Sequence, residues 1–368
     1  MRVLHVVAAD RWTGAAATAL QLVEVLRAEG TDARLLFRSG NNLQRRLSGR
    51  PWAFPLLAKE RGPAGLARSL AVVRRLARDC DLVHAHLPHD HALVRLAFRS
   101  SSGGTAPPIL RSVRNGRHLR ADPFHRLLFR RCAGVGLAHS EMRRSLSRFR
   151  ELGDVPAVVL PCVPEARFRP ADRDAARTGV GIAADLLVAG AVGKLARDRG
   201  QDLFLHALAG APTWHGLVVG AGEAERALRR LARRLGIADR VTFVGYREEG
   251  LETLYAAMDL FVFPAPGSDH GHRAVAEACA CGVPTLAAAV PGIRDLVEPG
   301  VTGDLYPTED AAALAALLHA WGGAAERRQR AGLKAAEKSS GRTPADLVAA
   351  TARLYTAALA SLDRSAPA

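Results

Sequence analysis

Residues 267–282 combine groups that bind sugars or phosphates in one short stretch. The stretch GSDHGHRAVAEACACG contains an acid, two histidines and an arginine in an expected turn. Glu277 follows among small apolar residues. A carboxylate in such surroundings is poorly placed for solvent, which indicates a functional contact. Near a helix start, Glu277 would suit the vicinal hydroxyls of a ribose. The alternative is a carboxylate that only caps backbone N–H groups.

Two further segments carry groups suited to a phosphate. The stretch AVGKLARDRGQD places Lys194 and Arg199 just after an apolar run, and Lys194 is one of only four lysines in the chain. Two fixed cations would suit a diphosphate, although solvated surface charges are the alternative. In VVGAGEAE, Gly220 and Gly222 stand where backbone N–H groups can face a phosphate. Tight turns also use glycine, and the third glycine of the dinucleotide fingerprint is missing.

Four histidines in the stretch HAHLPHDH, residues 84–91, raise the question of a metal site. Two of them alternate along an apolar run, so they could chelate an ion. However, no helical pair of histidines four residues apart with a carboxylate accompanies them. We therefore expect a strand that lines a ligand cleft, and no metal.

The elements that must position these groups follow the βαβ rhythm of parallel sheets. Short apolar runs such as VLHVV and ARLLF alternate with amphipathic helical patterns along both halves of the chain. Ligands of open parallel sheets bind at the carboxyl ends of the strands, where the segments above lie. The proline-rich stretch VPAVVLPCVPEARFRPADRD indicates an interdomain linker. We predict an α/β chain with domains at 1–165 and 166–345, and a C-terminal helix at 346–368 that crosses back to the first domain.

The positive charge lies almost entirely in the first half of the chain. Of the net charge of +15, residues 1–165 hold +14, with 27 Lys and Arg against 13 Asp and Glu. Residues 111–150 hold eleven arginines and two acids. This distribution predicts a basic face for an anionic lipid surface or a phosphorylated substrate. Nucleic acid is the competing polyanion, but no recognition-helix motif is visible, and a general preference for arginine is the other alternative.

The remaining composition indicates a cytoplasmic setting. No segment reaches the roughly 18 apolar residues of a membrane-spanning helix. The five cysteines have no framework spacing, and the first residues are expected to form a strand instead of a secretory leader. Together with the basic half, this predicts a peripheral protein on the inner face of the membrane.

The motifs and their order resemble one known family along almost the whole chain. The stretch DHGHRAVAEACACGVP is similar to the paired acidic motif of the GT-B glycosyltransferases of the large retaining group, family 4, or glycosyl transferases group 1. GKLARDRGQD resembles that family's phosphate-binding segment, and VVGAGEAERALRRLARRLGIADRVTFVGY, PGIRDLVEPGVTGDLY and LPCVPEARFRP resemble further parts. The resemblance implies two Rossmann-like domains whose parallel sheets face a central cleft.

The resemblance also implies roles for single residues. Glu277 would bind the ribose of a nucleotide-sugar donor, and Lys194 and Arg199 would neutralise its diphosphate. Asp269, with the backbone from His270 to Arg273, would hold the sugar. The implied donor-binding set is Glu277, Gly220, Gly222, His270, Gly271, His272, Arg273 and Gly14, and the implied acceptor side is Arg114, His118 and His86. Neither a metal nor a cofactor is implied, since the nucleotide-sugar is a substrate.

Departures from the family pattern leave alternatives open. Asp269 is shorter than the usual glutamate, His270 and His272 replace small residues, and Arg114 stands where a histidine is common. The leading hypothesis is a retaining glycosyltransferase that acts on a cell-envelope glycan or lipid-linked acceptor, of lipopolysaccharide or exopolysaccharide type. The alternative is a catalytically degenerate GT-B protein that binds a nucleotide-sugar or an anionic glycan. An NAD-dependent dehydrogenase is less well supported, because GAGEAE lies in the second domain and no ribose-binding acid follows at the usual distance.

Overall fold

The computed structural model describes residues 1–9, 13–40, 42–56, 62–98, 106–114, 116–119, 122–130, 132–153, 155–247, 249–265 and 272–363. Its strands are β1 (Arg2–Val7), β2 (Asp32–Arg38), β3 (Ala53–Leu56), β4 (Leu82–Ala85), β5 (Ile109–Val113), β6 (Cys132–Leu137), β7 (Ala157–Val159), β8 (Leu187–Val192), β9 (Trp214–Val219), β10 (Val241–Gly245), β11 (Leu260–Phe263), β12 (Thr285–Ala288) and β13 (Gly303–Tyr306). Its α-helices are α1 (Gly14–Ala28), α2 (Asn42–Leu47), α3 (Pro63–Ala77), α4 (Pro88–Ala97), α5 (Pro123–Phe129), α6 (Met142–Leu146), α7 (Arg173–Val180), α8 (Gln201–Ala209), α9 (Glu225–Arg234), α10 (Leu251–Ala256), α11 (His272–Ala280), α12 (Ala311–Gly322), α13 (Ala325–Ser340) and α14 (Pro344–Asp363).

The first unit comprises Met1–Pro161 and Pro344–Ala368. Its sheet is parallel throughout, in the order β3-β2-β1-β4-β5-β6-β7. The central strands β4, β5 and β6 are buried at every position, as expected for strands covered on both faces, and this burial includes the polar residues His84, Arg111 and Ser112. At the start of α1, the Thr13 hydroxyl accepts a hydrogen bond from the Ala16 N–H at 3.3 Å, so the helix begins directly after the loop that follows β1.

The C-terminal helix belongs to this first unit. Helix α14 packs against β6, β7 and α1, and the fully buried Leu354, Tyr355 and Ala358 lie on its inner face. Gly134 and Gly136 of β6 admit this contact, because a Cβ at Gly134 would lie 3.1 Å from the Leu354 side chain. The prediction that the C-terminal helix returns to the first domain is thus confirmed.

The second unit comprises Cys162–Thr343 and has its own core. Its sheet is also parallel, in the order β10-β9-β8-β11-β12-β13. Both sheets therefore have the strand order of open, doubly wound folds, and the predicted α/β class with two Rossmann-like parallel sheets is confirmed. None of the helices that the structure describes is long and apolar enough to cross a membrane.

The predicted linker differs from the structure at its start. Residues 157–159 form β7, the last strand of the first sheet, and pair with β6 from Val135 to Leu137. Pro156 and Pro161 flank this three-residue strand, so proline content concealed it within the sequence. The short strands β3 and β13 were likewise not expected, because Pro55 lies within β3 and Asp304 within β13, so neither is a continuous apolar run.

Candidate functional site

The loops after β8 and β9 form one closely packed surface at the carboxyl edge of the second sheet. The Leu195 N–H donates to the Ala221 carbonyl at 3.1 Å, and the Ala224 N–H donates to the Leu195 carbonyl at 3.0 Å. A Cβ at Gly220 would lie 1.8 Å from the Gly193 carbonyl oxygen, and one at Gly222 would lie 2.1 Å from that of Leu195. Both expected donor-binding glycines therefore have a structural role in this loop contact.

The loop after β8 also contacts the end of β11. Gly200 has φ +76°, and a Cβ there would lie 1.8 Å from the carbonyl oxygen of Pro264. Pro264 directly follows β11, whose next helix is α11. The close contact therefore brings the segment 193–200 beside the strand that leads to the acidic motif. Gly200 is not among the residues predicted for the site, although a glycine before a helix start was the available signal.

Lys194 and Arg199 lie on this loop, as expected. Lys194 is exposed and pairs with Glu223 of the loop after β9, with Nζ 2.9 Å from Oε2. The Arg199 side chain is 27% exposed, and its Nε lies 3.5 Å from the Asp198 carboxylate. Two cations thus lie at the carboxyl edge of the sheet, where anionic ligands of open sheets bind.

Glu277 lies in α11 and is nearly buried, with 5% of its surface exposed. Its Oε1 accepts a hydrogen bond from Arg273 Nε at 2.8 Å, and its Oε2 accepts one from the Tyr255 hydroxyl at 3.1 Å. Arg273 also contacts Glu165 through its other guanidinium nitrogen. The carboxylate is therefore held by side chains of α10 and α11, and its expected contact with a ribose stays a prediction.

The protonation equilibria of this cluster follow from burial and pairing. Burial raises the pKa of Glu277, while the charge and the hydrogen bond of Arg273 and the Tyr255 hydroxyl act in the opposite direction. Burial and the nearby Glu277 charge raise the pKa of Tyr255 well above its ordinary value, so this hydroxyl stays a donor. Burial by itself would lower the pKa of Arg273, but Glu277 and Glu165 raise it overall.

Part of the acidic motif lies outside the described residues. This applies to Asp269, His270 and Gly271, which were expected to hold the sugar. His272 is the first residue of α11, and its ring lies edge-on to Phe263 with centroids 6.0 Å apart. The side chain of Arg273 binds Glu277 and Glu165, a contact that the family resemblance did not imply.

The expected acceptor-side residues lie near the carboxyl edge of the first sheet. Gly14, which belongs to the expected donor-binding set, lies in the same unit as the first residue of α1, and a Cβ there would meet nothing within 4 Å. Arg114 follows β5 and is half-buried. His118 lies in a 3-10 turn, Gly116–Leu119, and its side chain is outside the described part. His86 is fully buried, so the expected acceptor contact would require this side chain to become exposed.

His86 belongs to a buried cluster of three imidazoles at the centre of the first sheet. His5 Nδ1 lies 3.0 Å from His86 Nε2, and His84 lies 2.8 Å from the Tyr355 hydroxyl and 2.9 Å from the Ser112 hydroxyl. Within the described ranges this trio is a group that could hold a metal ion, since its candidate ligand atoms lie within 4.8 Å of one another. However, a metal bound by these nitrogens would have to displace hydrogen bonds within the cluster, such as that between His5 Nδ1 and His86 Nε2.

Comparisons with known proteins agree with this architecture. The family model "Glycosyl transferases group 1" matches residues 172–338. The D-inositol 3-phosphate glycosyltransferase of Mycobacterium tuberculosis is 36% identical over 245 residues, which cover 62% of this chain and 47% of the relative. The chain thus spans about half the length of the curated relatives it matches.

Solved structures extend the similarity over both units. The Anabaena protein HepE, in complex with UDP and glucose, superposes with a TM-score of 0.81 at 20% identity, covering 96% of this chain and 98% of that one. WaaG, a glycosyltransferase involved in lipopolysaccharide biosynthesis, superposes with a TM-score of 0.73 at 17% identity, covering 96% and 99%. Residues 172–338 are thus similar to the glycosyl transferases of group 1, and the two Rossmann-like units of the chain have the GT-B fold of its structural neighbours.

Proposed function

We propose that this protein is a glycosyltransferase that moves a sugar from a nucleotide-sugar donor to an acceptor hydroxyl. One observation carries the proposal. The loop with Lys194 and Arg199 contacts the end of β11 through Gly200, so both cations and the helix of Glu277 lie at the carboxyl edge of one sheet. This edge is where open α/β sheets bind nucleotides.

In the proposed donor site, different charged groups bind the ribose, the diphosphate and the sugar. Glu277 accepts hydrogen bonds from the ribose hydroxyls, and Lys194 and Arg199 face the diphosphate. Asp269 and the backbone at the start of α11 hold the sugar, and the free N–H groups of this helix N-terminus also stabilise negative charge on the diphosphate. The match to the group 1 family and the UDP complex of the structural neighbour support a nucleotide-sugar as the donor.

The proposed reaction is a transfer with retention at the anomeric carbon. The bond between that carbon and the diphosphate oxygen breaks, the acceptor oxygen bonds to the carbon on the same face, and the acceptor proton passes to the departing phosphate. Negative charge grows on the diphosphate during this step, where fixed cations stabilise it. We include metal independence in the proposal, because Lys194 and Arg199 supply the positive charge that the leaving group requires.

The acceptor is proposed to be a cell-envelope glycan or a lipid-linked acceptor, bound by the first unit from the cytoplasmic face of a membrane. The basic excess of residues 1–165 supports an anionic surface as the partner. On α5, Phe124 and Leu127 are each 51% exposed, and Arg126 and Arg130 accompany them. Apolar side chains among arginines are typical of a segment that lies on anionic lipid.

The test is a screen of ligand-dependent thermal stabilisation followed by a transfer assay. We expect UDP, GDP or ADP to raise the melting temperature, since a ligand at 100 times its dissociation constant adds about 2.7 kcal/mol to folded-state stability. The corresponding nucleotide-sugar should then be consumed only when an acceptor is present. A preference for NAD over all three nucleotides would contradict the proposal.

The second candidate, a binding protein without turnover, has a specific basis in α11. His272 begins the helix where the family has a small residue, and an imidazole there reduces the space beside the sugar. Tight nucleotide-sugar binding with no transfer to any glycolipid or glycan acceptor, and recovery of transfer in a His272→Gly variant, would favour this candidate.

A further inference from the structure

Arg273 lies between two carboxylates of different surroundings. Its Nε donates to Glu277 Oε1 at 2.8 Å, and its other side reaches Glu165 Oε1. The side chain of Glu277 is 7% exposed, whereas that of Glu165 is 42% exposed. The guanidinium thus joins a buried carboxylate of the candidate donor site to an accessible one outside it.

The accessible carboxylate is itself part of a larger network. Glu165 Oε2 accepts a hydrogen bond from Arg167 at 3.0 Å, and Arg167 also bonds Glu252 of α10 at 3.0 Å. Arg167 further stacks over Phe168, whose ring meets Tyr255 edge-on at 5.9 Å. The segment 162–168, the first residues of the second unit, is therefore fastened to both helices that enclose Glu277.

Among the described residues, the Glu277 carboxylate accepts fewer hydrogen bonds than its oxygens can take. Each carboxylate oxygen can accept two hydrogen bonds, and the structure shows one at each oxygen, from Arg273 and from Tyr255. These two donors fix the rotation of the carboxylate and so aim its remaining lone pairs. A guanidinium that pairs with two carboxylates has fixed N–H directions and so fixes the orientation of each partner. A lysine ammonium, whose donors rotate freely, does not.

We propose that Arg273 is a positioning residue for Glu277 and that Glu165 braces Arg273, so that recognition of the ribose hydroxyls depends on the segment 162–168. The inference rests on the proposed function, because it assigns a nucleotide ribose to Glu277. It adds that residues outside the ligand contact set the affinity for the two hydroxyls through the orientation of one carboxylate.

The experiment compares nucleotides with and without the ribose hydroxyls. Calorimetry measures the affinities of UDP, GDP and ADP and of their 2′,3′-dideoxy forms for the full chain and three variants. Arg273→Lys keeps the positive charge but loses the planar guanidinium that donates to two carboxylates. Glu165→Gln removes the negative charge that pairs with Arg273. Glu252→Gln is the matched control, because it breaks a link of the same network that does not touch Arg273.

We expect Arg273→Lys to weaken the best-bound nucleotide about tenfold and Glu165→Gln about threefold, with Glu252→Gln unchanged. The dideoxy form should bind the wild-type protein and the three variants with the same affinity, which should be weaker than that of the wild-type protein for the ribonucleotide. The reason is that the dideoxy form has no ribose hydroxyl that could donate a hydrogen bond to Glu277. Melting temperatures of the free variants show whether the fold is kept. A general loss of structure would weaken both nucleotide forms alike, and so would not reproduce this pattern.

The outcomes separate the inference from the function on which it rests. If the wild-type protein binds none of the three nucleotides, the proposed function fails and the inference fails with it. If it binds one of them but does not distinguish the dideoxy form, the ribose role of Glu277 is wrong. If it does distinguish the two forms, while Arg273→Lys weakens both by the same factor, the positioning role alone is overturned.

Discussion

Lys194 and Glu223 form an ion pair that joins the loops after β8 and β9, with Nζ 2.9 Å from Oε2. Their side chains are 46% and 61% exposed, so the pair itself adds little to stability. Its importance is for the ligand. A diphosphate at this edge of the sheet has to share Lys194 with Glu223 or replace that glutamate as its partner.

The first prediction concerns the two cations. Lys194→Ala and Arg199→Ala should each lower kcat about tenfold to a hundredfold while donor affinity falls less, because their charge matters most as the leaving group develops its own. Glu223→Gln is the matched control. It leaves kcat intact and should tighten nucleotide diphosphate binding by up to about fivefold, since an exposed ion pair amounts to about 1 kcal/mol at most. Steady-state kinetics and calorimetry would contradict the assignment if both alanine variants raised only KM.

The second prediction separates the two acids of the motif. Glu277→Ala should weaken the donor and the bare nucleotide alike, by about 1–3 kcal/mol for a lost charged hydrogen-bond partner. Asp269→Ala should instead cut turnover while the bare nucleotide binds nearly as before, and Asp269→Glu should shift the sugar preference. Calorimetry with UDP or GDP, alongside transfer rates, distinguishes these roles. Equal loss of nucleotide affinity in both alanine variants would refute separate functions.

The third prediction tests the contact between the loops after β8 and β9. Gly220→Ala should destabilise the second unit by about 2–4 kcal/mol, because the residue has φ +140° and its Cβ would overlap the Gly193 carbonyl. Gly179→Ala is the control in the same unit, since its Cβ meets nothing within 4 Å and alanine favours the helix by about 0.5 kcal/mol. Urea unfolding measures the stability of both variants. If the unfolding midpoint of Gly220→Ala equalled that of the wild-type protein, the two loops would not pack this closely.

The fourth prediction concerns the membrane. The protein should sediment with anionic vesicles of phosphatidylglycerol at low salt, and binding should fall as salt rises. The double variant Phe124→Ser with Leu127→Ser should reduce binding several-fold. Leu333→Ser of α13 removes a side chain that is 68% exposed in the second unit and should have no effect. Equal retention on neutral phosphatidylcholine vesicles would exclude an electrostatic membrane contact.

The fifth prediction uses the pH dependence of the first unit. Burial lowers the pKa of His91 to about 3, so below the ordinary value near 6.5 the unfolded chain binds a proton that the folded chain excludes. Stability is therefore lost as pH falls from about 6.5 toward 3, by about 2 kcal/mol for His91 at pH 5. His91→Leu should remove this loss.

Urea unfolding at pH 7.5 and pH 5 measures how the free energy of unfolding changes with pH in the wild-type protein and in His91→Leu. The neighbouring Asp90 acts in the opposite sense, because burial raises its pKa to about 6 and it stabilises the fold as pH falls from there. That contribution is present in both proteins and cancels in the comparison. If the free energy of unfolding changed equally with pH in the wild-type protein and in His91→Leu, His91 would be protonated within the folded unit.

The sequence by itself determined the architecture and indicated the place of the candidate site. Apolar runs alternating with amphipathic helices specify parallel sheets, since only strands covered on both faces can be apolar throughout. Because ligands bind at the carboxyl ends of such strands, the positions of Lys194 and Glu277 after β8 and β11 indicated the candidate site without coordinates. Strands β3 and β13 lack this signal because Pro55 and Asp304 interrupt their apolar runs, and β7 was concealed by the prolines that flank it.

Only the tertiary structure decided which side chains meet. Arg273 and Glu165 are 108 positions apart in the chain, and Gly220 stands 27 residues from the carbonyl that excludes its Cβ. The buried partner of His86 is His5, from another strand of the first sheet. Sequence patterns report local burial and turn chemistry, whereas these contacts depend on how distant segments pack. For this reason the sequence pointed to Glu277 and Arg273 as candidate site residues, but not to the hydrogen bond between them or to their contacts with Tyr255 and Glu165.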